Sequence, residues 1–148
     1  MSDIISVLSF FTALIAAGFA MRSAEQARRA NELNLVNEKI KIFEAVNTLH
    51  THLQICGTRF DVMQANVLSA VAVRAKLILN DRLVEQFSSY HSKVVELAAL
   101  ALNDYDQDPE GYRQLLAASV DVSIRGKKLT AALESDLRKQ TQDSWRPS

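Results

Sequence analysis

Turn-forming residues are scarce in this chain. It has four glycines and two prolines, Pro109 and Pro147, in 148 residues. So poor a supply of punctuation means few turns, and the sequence reads as all-α. The same four scattered glycines exclude a Walker loop or a dinucleotide fingerprint, and no G-x-S-x-G element is present. Cys56 is the only cysteine, which rules out an intrachain disulfide framework and fits a reducing compartment. Charge of one sign is missing as well. Lys plus Arg and Asp plus Glu number 17 each, so there is no global basic field to hold nucleic acid and no acidic tail.

What is present first is an uncharged run. Ile4 to Met21 reads IISVLSFFTALIAAGFAM, eighteen residues, or about 27 Å of helix against a hydrocarbon core of about 30 Å. Asp3 precedes it; Arg22, Arg28 and Arg29 follow it, against Glu25 alone. Lys and Arg are retained on the cytoplasmic side of a span. The expectation is a transmembrane anchor over residues 1–21, with the N-terminus outside and the remainder on the cytoplasmic side of an inner (plasma) membrane. In that reading Arg22, Arg28 and Arg29 set topology and meet lipid. A cleaved signal is the competing reading, since Gly18-Phe19-Ala20 resembles a cleavage site, but its positive charge stands on the wrong side of the apolar core. A buried core helix is the other, against which bulky apolar residues point all round.

The run has internal order. Ser2, Ser6, Ser9, Ala13, Ala16, Ala20, Ser23, Ala27, Ala30 and Asn34 step by alternating fours and threes, and nine of these ten are Ser or Ala. A 4/3 repeat places them along one seam of a helix, and small residues let two backbones approach closely. The seam crosses from the apolar run into the Arg-rich segment, so one continuous helix is expected. Ser6, Ser9, Ala13, Ala16, Ala20, Ser23, Ala27 and Ala30 form the expected self-association face.

Residues 22–140 read as a helical cytoplasmic domain and residues 141–148 as a flexible tail. The first helix lacks Gly and Pro as far as Cys56, with Leu33, Val36, Ile40, Phe43, Val46, Leu49 and Leu53 as its apolar side and a phase shift around Phe43. Gly57-Thr58 is the first break. A second helix is expected over Asp61–Leu79 and a third over Asp81–Leu102, with Asn80 as N-cap and a stripe of Leu83, Phe87, Tyr90, Val94, Leu97 and Ala101. The acidic segment 103–110 is a loop. A fourth helix enters at Pro109 and runs to about Gln140, lined by Leu115, Val122, Leu129, Leu133 and Leu137, with Gly126 as a weak point. The expected fold is all-α: an N-terminal transmembrane helix continuing into a three- or four-helix cytoplasmic bundle. Whether the first two helices make one rod or a hairpin stays open.

Chemistry-bearing constellations are sparse. His52 and Cys56 are i,i+4 and share a helix face, with His50 and His91 as further ligand candidates, but two ligands do not make a zinc site. Cys56 as core, His52 as partly exposed and His50 as solvated is the better reading. Ser88 and Ser89 beside His91 have no acidic orienter. The loop DYDQDPEG alternates like a calcium loop, yet Pro109 stands where that loop needs glycine and Leu115 where it needs Glu. Arg125, Lys127, Lys128, Arg138 and Lys139 form a charged face without aromatic interleaving. No catalytic, cofactor or metal residue is assigned, and no nucleic acid is expected.

The segments RSAEQARRANEL and AKLILNDRLVEQF, behind an uncharged N-terminal run, give the chain a layout that resembles small bacterial single-pass membrane proteins. Proteins of that shape occur among phage, plasmid and defence genes. The resemblance spans most of the chain as a pattern, rests on no specific motif and carries over no functional residue. The function expected is a non-enzymatic scaffold or adaptor that forms homo-oligomers through its anchor and presents its bundle to a cytoplasmic protein partner. The alternative is a membrane-perturbing or pore-forming effector, with Ser2, Ser6, Ser9 and Thr12 wetting a pore.

Overall fold

The computed structural model describes residues 2–103, 105 and 108–144, and within these the side chains of residues 9 to 142. It holds four helices: α1 Ser2–Cys56, α2 Met63–Ile78, α3 Asp81–Ala101 and α4 Pro109–Ser144. No strand occurs among the described residues. By internal packing the chain divides into Met1–Leu35 and Val36–Ser148.

The first unit is helix throughout its described length, continuous with the rest of α1 as the seam implied. Every side chain from Ser9 to Leu35 is exposed. Its ion pairs are intrahelical: Arg29 donates to Glu25 at 2.6 Å and Arg28 to Glu32 at 3.0 Å.

The anchor has to be corrected. Among the described residues no helix is long and apolar enough to cross a membrane. Ile4 to Leu8, with Ser6 of the expected association face, fall outside the described side chains. The inner-membrane location, the outward N-terminus and the lipid-facing role of Arg22, Arg28 and Arg29 fall with the anchor. The expected tail is also shorter: residues 141–144 continue α4, and residues 145–148 lie outside the described residues.

The second unit is a bundle. α1 stops at Gly57, which takes a positive φ of 55° and sends its N–H back to Leu53 O at 2.9 Å, the left-handed termination that glycine adopts without a Cβ penalty. The break separates α1 from α2, so the two are distinct helices and not one rod. Asp61 Oδ1 accepts from the Met63 N–H at 2.9 Å to start α2. Asn80 caps α3 as expected, its side-chain oxygen accepting from Leu83 N–H at 3.0 Å. The core joins Ile42, Val46, Leu49 and Leu53 of α1 to Leu68 and Ala75 of α2, Phe87, Tyr90, Val94 and Leu97 of α3, and Leu115, Val122, Leu129 and Leu133 of α4.

The buried stripe of α1 differs from the sequence reading. It runs Lys39, Ile42, Val46, Leu49, Leu53, in steps of three and four with no phase shift, while Ile40 is exposed. The reason is electrostatic. The Lys39 side chain is only 7% exposed and its Nζ donates to Asp136 Oδ2 of α4 at 2.7 Å. Asn80 Nδ2 reaches the other oxygen of Asp136 at 3.4 Å, so one carboxylate joins α1, α4 and the α2–α3 junction. A buried charge is tolerated only with such a partner.

Removing one member of a buried pair strands the other. Asp136→Ala is expected to lower the unfolding free energy by about 3–5 kcal/mol, and Lys39→Met with Asp136→Leu to recover most of that loss. Urea titrations followed by circular dichroism check both.

Candidate association surface and buried polar clusters

The seam is present as a surface. Successive helix residues turn by about 100°, so Ser9, Ala13, Ala16, Ala20, Ser23, Ala27 and Ala30 share one side of α1, and all are exposed. Phe10 and Phe19 stand beside it, about 100° and about 80° round the helix, while Met21, Leu14, Phe11 and Ile15 lie farther round on the opposite side. These six bulky side chains are 54–77% exposed. Phe10 and Phe11 meet edge to face at 6.1 Å.

The histidines do not come together as ligands. His52 Nε2 accepts from the Asp61 N–H at 3.2 Å, which puts the ring proton on Nδ1, 3.8 Å from Cys56 Sγ. His52 also stands edge-on to Phe60 at 6.1 Å. Both ring nitrogens therefore serve the α1–α2 turn. His91 stacks on Phe87, ring centroids 6.3 Å apart, and its Nε2 lies 3.0 Å from Ser69 Oγ. Ser69 Oγ gives its proton to Ala65 O at 3.0 Å, so the histidine donates to the hydroxyl. A general base would have to accept from it. The contact pins α2 to α3 and is not poised for nucleophilic attack. Ser89 accepts from Arg125 at 3.1 Å, and Arg125 also pairs with Asp121 at 2.8 Å. Among the described residues no group of three His, Cys, Asp or Glu side chains is placed to hold a metal ion.

His50, expected in solvent, is buried instead. It is 8% exposed and Tyr90 1%; neither His50 Nδ1 nor the Tyr90 hydroxyl has a hydrogen-bond partner among the described residues. Both converge on Gly126 of α4. A Cβ there would stand 3.0 Å from His50 Nδ1, 3.2 Å from Tyr90 Cε2 and 3.3 Å from its hydroxyl. Sequence reading took Gly126 for a weak point, but His50 and Tyr90 stand too close there for a Cβ to enter unless they give way. Burial, and then the Lys127 charge, hold the His50 pKa below its ordinary value. Burial likewise raises the Tyr90 pKa. Burial, then Lys76, lowers the His91 pKa.

Sequence reasoning missed the Lys39–Asp136 pair, although a signal existed. Lys39 continues the 4/3 register of Ile42, Val46, Leu49 and Leu53, and Asp136 continues that of Val122, Gly126, Leu129 and Leu133. Two opposite charges on two core registers mark a buried pair. The Ser69–His91 contact had no such signal, because neither position stands out from its register.

Comparison with protein-family models, with curated proteins and with solved structures gave no match. The function therefore has to be argued from these surfaces alone.

Two outcomes are expected from the enclosed cluster. The unfolded state binds more protons than the folded state once pH drops through the ordinary histidine range, so stability rises with pH there. The contribution of neutral His50 is complete above about pH 6.5 and is lost as pH falls toward its lower folded-state pKa. His50→Gln should flatten part of the fall in urea midpoint between pH 7 and pH 5, the remainder belonging to groups such as His91. Gly126→Ala should destabilise despite the gain of about 1 kcal/mol in helix propensity, because overpacking against two fixed side chains costs about 1–3 kcal/mol; a thermal melt reads the sign.

Proposed function

We propose that the protein is a non-enzymatic helical scaffold that forms homo-oligomers through the seam side of α1 and presents its bundle to a protein partner. The observation that carries this reading is a strip of small residues on α1 with Phe10 and Phe19 beside it, 64% and 67% exposed. Contiguous apolar surface of that kind marks an interaction site. The small residues allow a second copy of the helix to approach closely along a left-handed seam, and Phe10 and Phe19 then close over the line of contact. The exposed intrahelical pairs Glu25–Arg29 and Arg28–Glu32 contribute little by themselves.

The bundle supports the partner half of the reading. The outer face of α2 exposes Met63, Val67, Val73 and Leu77, side chains that a protein surface covers. Nothing in the polar clusters favours catalysis: the Ser69–His91 contact has its proton on the wrong atom, and His52 is committed to a turn.

The seam is tested by changing its width. Ala13→Leu combined with Ala16→Leu should weaken self-association of the full chain about tenfold or more, equal to about 1.4 kcal/mol, whereas Leu14→Ala, off the seam, should change it little. Sedimentation velocity over a concentration series gives both numbers. Equal effects from the two variants would remove the seam from the mechanism of assembly.

A further inference from the structure

The outward face of α4 carries a second apolar strip, separate from the seam. Leu116, Val120 and Ile124 are 46–51% exposed, and with Arg113, Ala117 and Asp121 they line a shallow groove. The strip follows the i, i+4 ridge of a helix, the ridge that packs into the matching groove of another helix in the commonest packing class. Its charges are arranged with a symmetry of their own. Arg113 and Asp121 stand four residues to either side of Ala117, about 6 Å each way along the axis. Opposite charges at equal distances from a small residue are complementary to themselves when the helix is turned end for end. α2 lacks this property: it holds no acid of its own, and Arg74 beside its exposed apolar face already pairs with Glu38 of α1.

We propose that the α4 groove is an isologous interface, occupied by α4 of a second copy running antiparallel across a twofold axis at Ala117. In a twofold interface the same patch serves on both sides. Each Arg113 then meets the partner copy's acidic side chain at position 121, Ala117 lets the backbones approach, and Leu116 and Val120 of each copy cover those of the other. The present partners do not oppose the exchange. Arg113 sits 3.7 Å from Glu110 with both side chains at least 70% exposed, a pair of negligible strength. Asp121 keeps one oxygen on Arg125 and has a second to offer. A single helix pair buries less than a standard stable interface, so this contact is weak alone and is read best by covalent trapping.

The test uses the full chain with Cys56→Ser, carrying Ala117→Cys or Lys128→Cys, and a short thiol crosslinker. Ala117→Cys places two thiols at the axis and should give a product of twice the mass. Position 128 lies eleven residues away, so in an antiparallel pair the two thiols stand about 33 Å apart and should not link. Adding Arg113→Glu to Ala117→Cys should cut the yield about tenfold, because two weak ion pairs become two repulsions; adding Asp121→Lys as well should restore it. Linking at position 128 but not at 117, no linking at either, or no recovery in the doubly reversed chain would each overturn the proposal. Trapping at position 117 does not depend on the α1 seam, so the Ala13 and Ala16 variants fail or succeed separately from this one.

Discussion

Helix spacing in the bundle is set at Gly126. α4 lies against α1 and α3 at a point where the methyl group of even an alanine would press on His50 and Tyr90 together. The closeness has a cost. Two polar atoms, one imidazole nitrogen and one phenol oxygen, are enclosed without a protein partner, and a buried polar group left unpaired weakens a fold by about 1–3 kcal/mol. The aliphatic layers on either side, Val122 and Leu129 of α4 with Val46, Leu49 and Val94, offset that cost by complete burial.

The helices were legible because their ends obey local rules. Asn80 caps, Pro109 opens and Gly57 closes a helix for reasons contained within a few residues. The core stripe of α3 was legible because all its members are apolar. The stripe of α1 was misread at one end for the opposite reason: a lysine occupies a core position, and a search for apolar residues passes over it to Ile40 and Phe43. Only a partner 97 residues away makes that lysine a core residue, and no local pattern names the partner. The membrane reading failed differently. It rested on the length of an uncharged run, and among the described residues no helix is long and apolar enough to cross a membrane. Of the association face, the register was legible and the exposure was not, since exposure depends on what the rest of the chain leaves uncovered.

The apolar surfaces sort by their charges. The α1 seam carries Ser and Ala and no charged side chain in its register, so the association proposed there is decided by shape. The α2 face has no acid of its own to offer a second copy, and its Arg74 is already paired with Glu38. The α4 groove holds one charge of each sign about a small residue. Three exposed apolar strips on one small chain thus differ in what they are able to accept, and electrostatic complementarity governs that choice more than area does.

The separation between Lys39 and Asp136 also has a consequence for how the protein is made. At about 5–20 residues per second, the ribosome adds the 97 residues between them in about 5–20 s. Throughout that interval Ile42, Val46, Leu49 and Leu53 are already available to collapse, but Lys39, in the same register, has no counter-ion. Early collapse of α1 onto α2 and α3 is therefore disfavoured at that end until α4 exists. The nascent chain keeps an open, charged end while it waits, which protects an unfinished core from closing in the wrong arrangement.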